Sequence, residues 1–282
     1  MSEILYIDKP KGITSFDLCF KLRKVFNTKK IGHTGTLDPN ATGLMVCLIN
    51  NASKTNQFLV SASKEYIATV KIGIKTDSED IDGNIIQQKA EVMPSKEDIE
   101  KALKSFLGKS TQIPPMASAI KVNGKKLYEY MRNNETVEIK PRDIEVYSIE
   151  LLDVDDDTFS FRCNVSSGTY IRTLAQDVLK KINIIGTCLD LRRTKIDDID
   201  ISEADSLEDV LAGKYHVHSI YEVLSKYYYV YRVKDSKAIK DGKPFKADLS
   251  DETVLCVDEN NLALAIYKKE DGMYRCVRGL LW

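Results

Sequence analysis

Histidine is scarce in this 282-residue chain, with three copies, and tryptophan occurs once. The six cysteines (Cys19, Cys47, Cys163, Cys188, Cys256, Cys276) lie far apart and include no C-x-x-C pair. Zinc sites need clustered ligands and disulfide frameworks belong to small secreted chains, so free, mostly buried thiols in a reducing compartment are expected. His216 and His218 are separated by one residue and have no evident third ligand, which reads as surface or packing and not as a metal centre. No run of about 18 apolar residues occurs, and the opening MSEILYIDKPKG lacks a basic-then-apolar leader. Neither a membrane span nor secretion is expected, and a cytoplasmic location is. No G-x-S-x-G elbow is present to seat a catalytic serine. The stretch SEDIDGNIIQQK (78–89) has the outline of a calcium loop, but Ser78 takes its first position and Lys89 stands where a bidentate glutamate is needed. That excludes calcium and leaves an acidic turn from which Asp80 could still touch a site.

What is present is a soluble globular composition, 43% hydrophobic and 29% charged, long enough for one large domain and a small one. The net charge of −1 hides an uneven distribution: residues 1–64 carry nine Lys/Arg against four Asp/Glu, and residues 113–142 carry six against three. A positive face of that kind is what a phosphate backbone requires. Residues 3–8 read as a strand, followed by a helix that Thr14 or Ser15 caps, with Leu18, Cys19, Leu22, Val25 and Phe26 on its apolar face. Alternation places Tyr66, Ala68, Val70 and Ile72 on one face of a strand. Ser95 and Asp98 resemble a capping box at the head of a helix that Gly108 closes. Pro114-Pro115 forbids regular structure where the basic segment begins. Strands at 144–152 and 158–166 pair, and helices cover 171–182 and 206–212. From residue 226 the runs YYYVYRV, TVLCVDE, LALAIYK and MYRCVRG are separated by turn residues, which gives a small β domain. The expected fold class is α+β.

Two stretches carry chemistry. GHTGTLDPNATG (32–43) sets one carboxylate, Asp38, in a glycine-rich loop. It lacks the Gly-Lys-Ser/Thr ending of a phosphate-cradling loop, and its acid would repel phosphate. Gly32 and Gly35 free the backbone for positive φ, and Pro39 keeps Asp38 out of helical geometry. In SSGTYIRTLAQDV (166–178), Tyr170 and Arg172 stand two apart, so an extended approach turns both towards one site, where the arginine could hold a carboxylate.

Together with LYIDKPKGITSFD (5–17), KEYIATVKIGIKTDSEDIDG (64–83), IPPMASAIKVNGKKLYEYMR (113–132) and LDLRRT (189–194), these stretches form an ordered set over about two hundred residues. The set resembles the bacterial tRNA pseudouridine synthases of the TruB type, which isomerise uridine 55 in the T-loop. The resemblance implies a catalytic domain over 1–225 with a bent, mainly antiparallel sheet. It also implies a mobile RNA-binding insertion at 113–142 and a PUA-like RNA-binding domain over 226–282. The implied partner is the T-stem-loop of tRNA, met by a monomer without guide RNA, cofactor, metal or membrane.

Carried over by position, Asp38 matches the catalytic aspartate and Arg172 the arginine paired with it. Tyr66 matches the tyrosine that stacks on the target base and is a candidate base for C5. His33 matches the histidine that holds flipped nucleotides, and Tyr170 and Leu191 match residues of the uracil pocket. Lys121, Lys125 and Lys126 would meet phosphate. Whether the aspartate acts as nucleophile or as base stays open. Ala117 departs from the aromatic common in the family, and Asp197-Asp198-Ile199 replaces its Gly-x-Phe pattern. Isomerisation adds nothing overall, so one carboxylate suffices where a glycoside hydrolase usually shows two. The rival readings are a guide-RNA-dependent relative and an RNA-binding protein without chemistry.

Overall fold

The computed structural model describes residues 2–59, 63–133 and 135–281. Backbone contacts divide the chain into two compact units, one of Met1–Asp38, Met45–Val60 and Glu203–Trp282, the other of Pro39–Leu44 and Ser61–Ser202. The C-terminal segment is thus grouped with the N-terminus. Its attachments explain this: Asn51 Nδ2 donates to Leu281 O at 2.9 Å, and the Tyr228 hydroxyl donates to Phe58 O at 3.4 Å.

The first unit opens with β1 (Glu3–Lys9), whose Lys9 is fully buried. Its ammonium donates to Pro10 O and Ile13 O at 2.9 and 2.8 Å, so the charge is solvated by the turn that leads into α1 (Ser15–Val25). Thr14, not Ser15, caps that helix: its hydroxyl accepts from Asp17 N, and Asp17 accepts from Thr14 N, a reciprocal box. Leu18, Cys19 and Leu22 are buried as the spacing predicts, while Val25 and Phe26 are only partly so. β2 (Ile31–His33) then pairs antiparallel with β3 (Thr42–Ile49), and β1 runs parallel to Asp205–Ser206.

In the second unit the start of β3 is followed across the sheet by β8, β4, β7, β6 and β5. These strands are β4 (Lys64–Ile72), β5 (Gly108–Gln112), β6 (Arg142–Val154), β7 (Thr158–Val165) and β8 (Gly186–Ile196). β4 is antiparallel to both neighbours and alternates buried with half-buried along its length, as expected. α2 (Lys96–Lys104) is capped by Ser95, and α3 (Ile171–Lys181) buries Ile171, Leu174, Ala175, Val178 and Leu179. The pairing is mainly antiparallel, and the class is α+β.

One local expectation changes. α2 ends before Gly108, which with φ +91° opens β5 instead of closing the helix. Pro114 and Pro115 lie outside helix and strand, as expected, and regular structure resumes after them. Lys121–Val122 pairs with Lys125–Lys126 around Asn123-Gly124, both at positive φ, and Leu127–Arg132 is helical. Asn-Gly is the residue pair such a tight hairpin prefers.

Back in the first unit, β9 (Tyr229–Arg232), β10 (Thr253–Val257), β11 (Ala263–Glu270) and β12 (Met273–Gly279) form a separate four-stranded sheet. Its core holds Ile239, Val254, Cys256, Leu264, Tyr267 and Tyr274. The Phe245 ring lies 4.8 Å from Tyr231 and 5.2 Å from both Tyr267 and Tyr274.

Within the second unit, β3 and β8 approach most tightly at Gly43 and Arg193. A Cβ on Gly43 would stand 2.2 Å from Arg193 O and 2.7 Å from Arg193 N, and its φ is +108°. Gly43→Ala is therefore expected to destabilise the protein by about 2–4 kcal/mol, through overpacking against backbone added to an unfavourable φ. Chemical denaturation monitored by circular dichroism measures this.

Candidate active site

The carboxylate singled out in the sequence ends a segment of the first unit. β2 sets the start of its loop, with His33 opposite Cys47 and Thr34 N donating to Val46 O at 3.1 Å. Gly32 lies in β2 without a positive φ, so the expected freedom there is not used, and it is Gly43 that needs it. His33 and Asp38 are half-buried, and Leu37 between them is 4% exposed. A serine from α1, Ser15, meets the backbone of Leu37. Asp38 thus follows a residue tied to the helix, and Pro39 follows it.

In the second unit a cross-strand row runs Gly43, Arg193, Tyr66, Cys163 and Ile149. Tyr66 is 7% exposed and Arg193 1%. Leu191, half-buried, stands opposite Ala68 on β4 and so diagonal to Tyr66, two residues that 125 positions of sequence separate. Arg193 Nε donates to Leu44 O at 2.7 Å. Lys64, on the same side of β4 as Tyr66, is also buried and donates to Ser167 Oγ at 3.3 Å. Burial, with the Arg193 charge adding to it and Asp197 opposing, pushes the Lys64 ammonium down to about 8.

Arg172 does not arrive on an extended approach. Tyr170 caps α3 and Arg172 lies inside its first turn, 3% exposed. Its guanidinium donates to Ser78 O and, at 2.9 Å, to Ala117 O, and meets Asp80 Oδ2 at 3.3 Å. One side chain therefore gathers the acidic turn, the root of the basic segment and α3. Asp80 does touch this group. Glu79, at φ +66°, accepts from Thr173 Oγ1 at 2.8 Å. Burial raises its carboxyl, while the Thr173 hydrogen bond and Arg172 pull it back. Tyr170 is half-buried and is held through its backbone by Gln112.

Lys121 is exposed in the hairpin opposite Lys126. Lys125 pairs with Glu135 at 2.7 Å and lies 4.6 Å from the centre of the Tyr130 ring, and Lys126 and Arg132 both lie over Tyr128. Reasoning from sequence missed Ser15, Gln112 and the buried Arg193. Ser15 is hidden by its capping neighbour. Arg193 stands in the quoted LDLRRT motif, but Arg192 and Thr194 flank it, so no apolar pattern marks it as buried.

Solved structures share this architecture. The chain superposes on one from "Crystal Structure of a Cbf5-Nop10-Gar1 Complex" with a TM-score of 0.73, covering 99% of this chain and 85% of that one at 21% identity. It matches one from "Structure of H/ACA RNP bound to a substrate RNA containing 2'-deoxyuridine" equally well, at 20% identity. The chain shares the fold of these two proteins.

Sequence comparison narrows the class. Residues 23–171 match the model of the TruB family pseudouridylate synthase (N terminal domain). Over 289 residues the chain is 39% identical to the tRNA pseudouridine synthase B of Mycoplasma capricolum subsp. capricolum, covering 99% of this chain and 97% of the relative. The tRNA pseudouridine synthase B of Staphylococcus saprophyticus is 39% identical over 94% of this chain and 93% of its own. The chain belongs to the TruB family.

The depressed Lys64 has a consequence with a definite sign. Between about pH 8 and its ordinary 10.5 the unfolded chain holds a proton at this lysine that the folded chain has lost. The unfolded state then binds more protons, so stability gains a contribution that rises with pH across that window. Denaturation of wild type and Lys64→Met between pH 7 and pH 11 is expected to show this rise in wild type only.

Proposed function

We propose that this pseudouridine synthase converts uridine 55 in the T-loop of tRNA to pseudouridine, acting as a single chain in the cytoplasm without a guide RNA. The observation that carries the reading is the stretch GHTGTLDPNATG with its one carboxylate, in a chain 39% identical across nearly its full length to a relative named for tRNA pseudouridylation. The basic segment 113–142 and the C-terminal segment 226–282 would supply the RNA-binding surfaces around the catalytic body, with Lys121 at a phosphate.

The chemistry follows from what must change. The N1–C1′ bond breaks, the uracil turns within the site, and C5 bonds to C1′. C5 then loses its hydrogen as a proton, and N1 ends protonated. Atoms balance without an added reactant. Asp38 is the group that acts at the sugar, either by attack on C1′ or by removing a proton on the way through a glycal. The stacked uridine must first leave its loop, at a cost of a few kcal/mol. Tyr66 stacks on the flipped base, a contact worth about 1–3 kcal/mol, and is the candidate base for the C5 proton. His33 holds the displaced nucleotides, and Tyr170 and Leu191 wall the pocket. Arg172 serves the catalytic carboxylate electrostatically, from a position that Asp80 and two carbonyls hold rigid.

Two outcomes are expected. Purified protein alone should release tritium from tRNA carrying [5-³H]uridine, and release should vanish with Asp38→Asn and with uridine 55 replaced. No release despite tight tRNA binding would overturn the stand-alone reading, and release surviving Asp38→Asn would overturn the role of the loop. Arg172→Ala should lower the single-turnover rate far more than it weakens tRNA binding, measured on the same preparation by filter retention.

A further inference from the structure

Two buried side chains each bond both the backbone N–H and the backbone C=O of a single residue, Leu37 beside Asp38 and Tyr170, whose carbonyl also accepts from Leu174 N at 3.0 Å. Ser15 Oγ accepts from Leu37 N at 2.8 Å and donates to Leu37 O at 2.9 Å, and Ser15 is 2% exposed. Gln112 Oε1 accepts from Tyr170 N at 2.8 Å while its Nε2 donates to Tyr170 O at 3.0 Å, and Gln112 is 5% exposed.

The geometry of the peptide unit gives these contacts a meaning beyond satisfying polar groups. An N–H lies in the plane before its residue and a C=O in the plane after it, and each plane is rigid. Holding both groups on one partner fixes the two soft dihedrals of the residue between. At Leu37 the second plane carries the nitrogen of Asp38, so Ser15 sets the direction in which Asp38 leaves the chain. Pro39 restricts Asp38 from the other side. The backbone on both sides of Asp38 is thus constrained. At Tyr170 the same arrangement fixes where the ring departs and where α3 begins, one residue ahead of Arg172.

The serine is free for this task because Thr14 does the capping. Its place in the first turn of α1, on the buried face of that helix, makes it a rigid support, and Gln112 closes the edge strand β5 at a buried position. Groups fixed in this way lose little freedom when substrate arrives, which is where misplacement by about 1 Å can cost 100-fold in rate.

We propose that Ser15 and Gln112 are positioning residues of the isomerase site, Ser15 acting through Leu37 on Asp38 and Gln112 through the backbone of Tyr170. The proposal rests on Asp38 being the catalytic carboxylate, and its test keeps the two apart. Single-turnover tritium release and tRNA dissociation constants are measured for wild type, Asp38→Asn, Ser15→Ala and Gln112→Ala, well below each protein's melting temperature. Both alanine variants are expected to release tritium about 10- to 100-fold more slowly with unchanged tRNA affinity. Ser15→Thr, which keeps the hydroxyl, should recover much of the rate. Gln112→Glu sets a carboxylate against Tyr170 O, and its deficit should shrink as pH falls and the acid regains a donor proton.

Wild-type rates in folded alanine variants, with Asp38→Asn inactive, would overturn the positioning role alone. Activity in Asp38→Asn would overturn the reading of the site instead. Should Ser15→Ala fail to fold, Ser15→Cys keeps the size but weakens the hydrogen bonds. A slower rate then supports the proposal and a wild-type rate overturns it.

Discussion

The approach of two backbones at Gly43 and Arg193 governs much else in the second unit. With a carbonyl oxygen 2.2 Å from where a Cβ would stand, β3 and β8 can lie together only if one of them has no side chain. That contact ends the glycine-rich loop at a fixed place and starts the row that runs through Arg193 to Tyr66. It also buries a guanidinium, which a protein interior tolerates only when hydrogen-bonded. Leu44 O meets that need from the residue next to Gly43. Lys64, on the same face, loses its proton more readily than an ordinary lysine, chiefly through burial and further through the nearby Arg193 charge.

Arg172 shows a different use of buried charge. Its partners come from residues 78–80 and 117, so turns remote in sequence are drawn to one planar fork. A lysine could not replace it, because a single ammonium lacks the spread of donors that reaches two carbonyls and a carboxylate. The acidic turn is thereby a structural bracket. Glu79 reinforces it through Thr173, one residue further along α3.

What the sequence discloses divides along a physical line. Alternation along β4 is legible because the two faces of the strand meet different surroundings, and the caps at Thr14, Ser95 and Ser206 are legible because capping is local. The carboxylate loop stands out because glycine and proline leave marks in the letters themselves. Partners that are carbonyls leave none, since every residue carries one. Nothing in the string therefore assigns Ser78 O and Ala117 O to Arg172, or Leu37 to Ser15. Gly32 and Gly108 show the converse error. A glycine announces permission for unusual backbone, and only the fold decides whether the permission is used. The Asn123-Gly124 turn was readable by its own chemistry, but the two prolines ahead of it suggest disorder more loudly than two residues suggest a hairpin.

Part of the basic segment's charge is already engaged. Lys125 sits between Glu135 and the face of Tyr130, and Lys126 and Arg132 share the face of Tyr128. A phosphate that claimed Lys125 would have to displace a carboxylate, not merely a mobile counterion. Binding of any anion at Lys125 would be an exchange of one anion for another, with the protein's own Glu135 as the competitor.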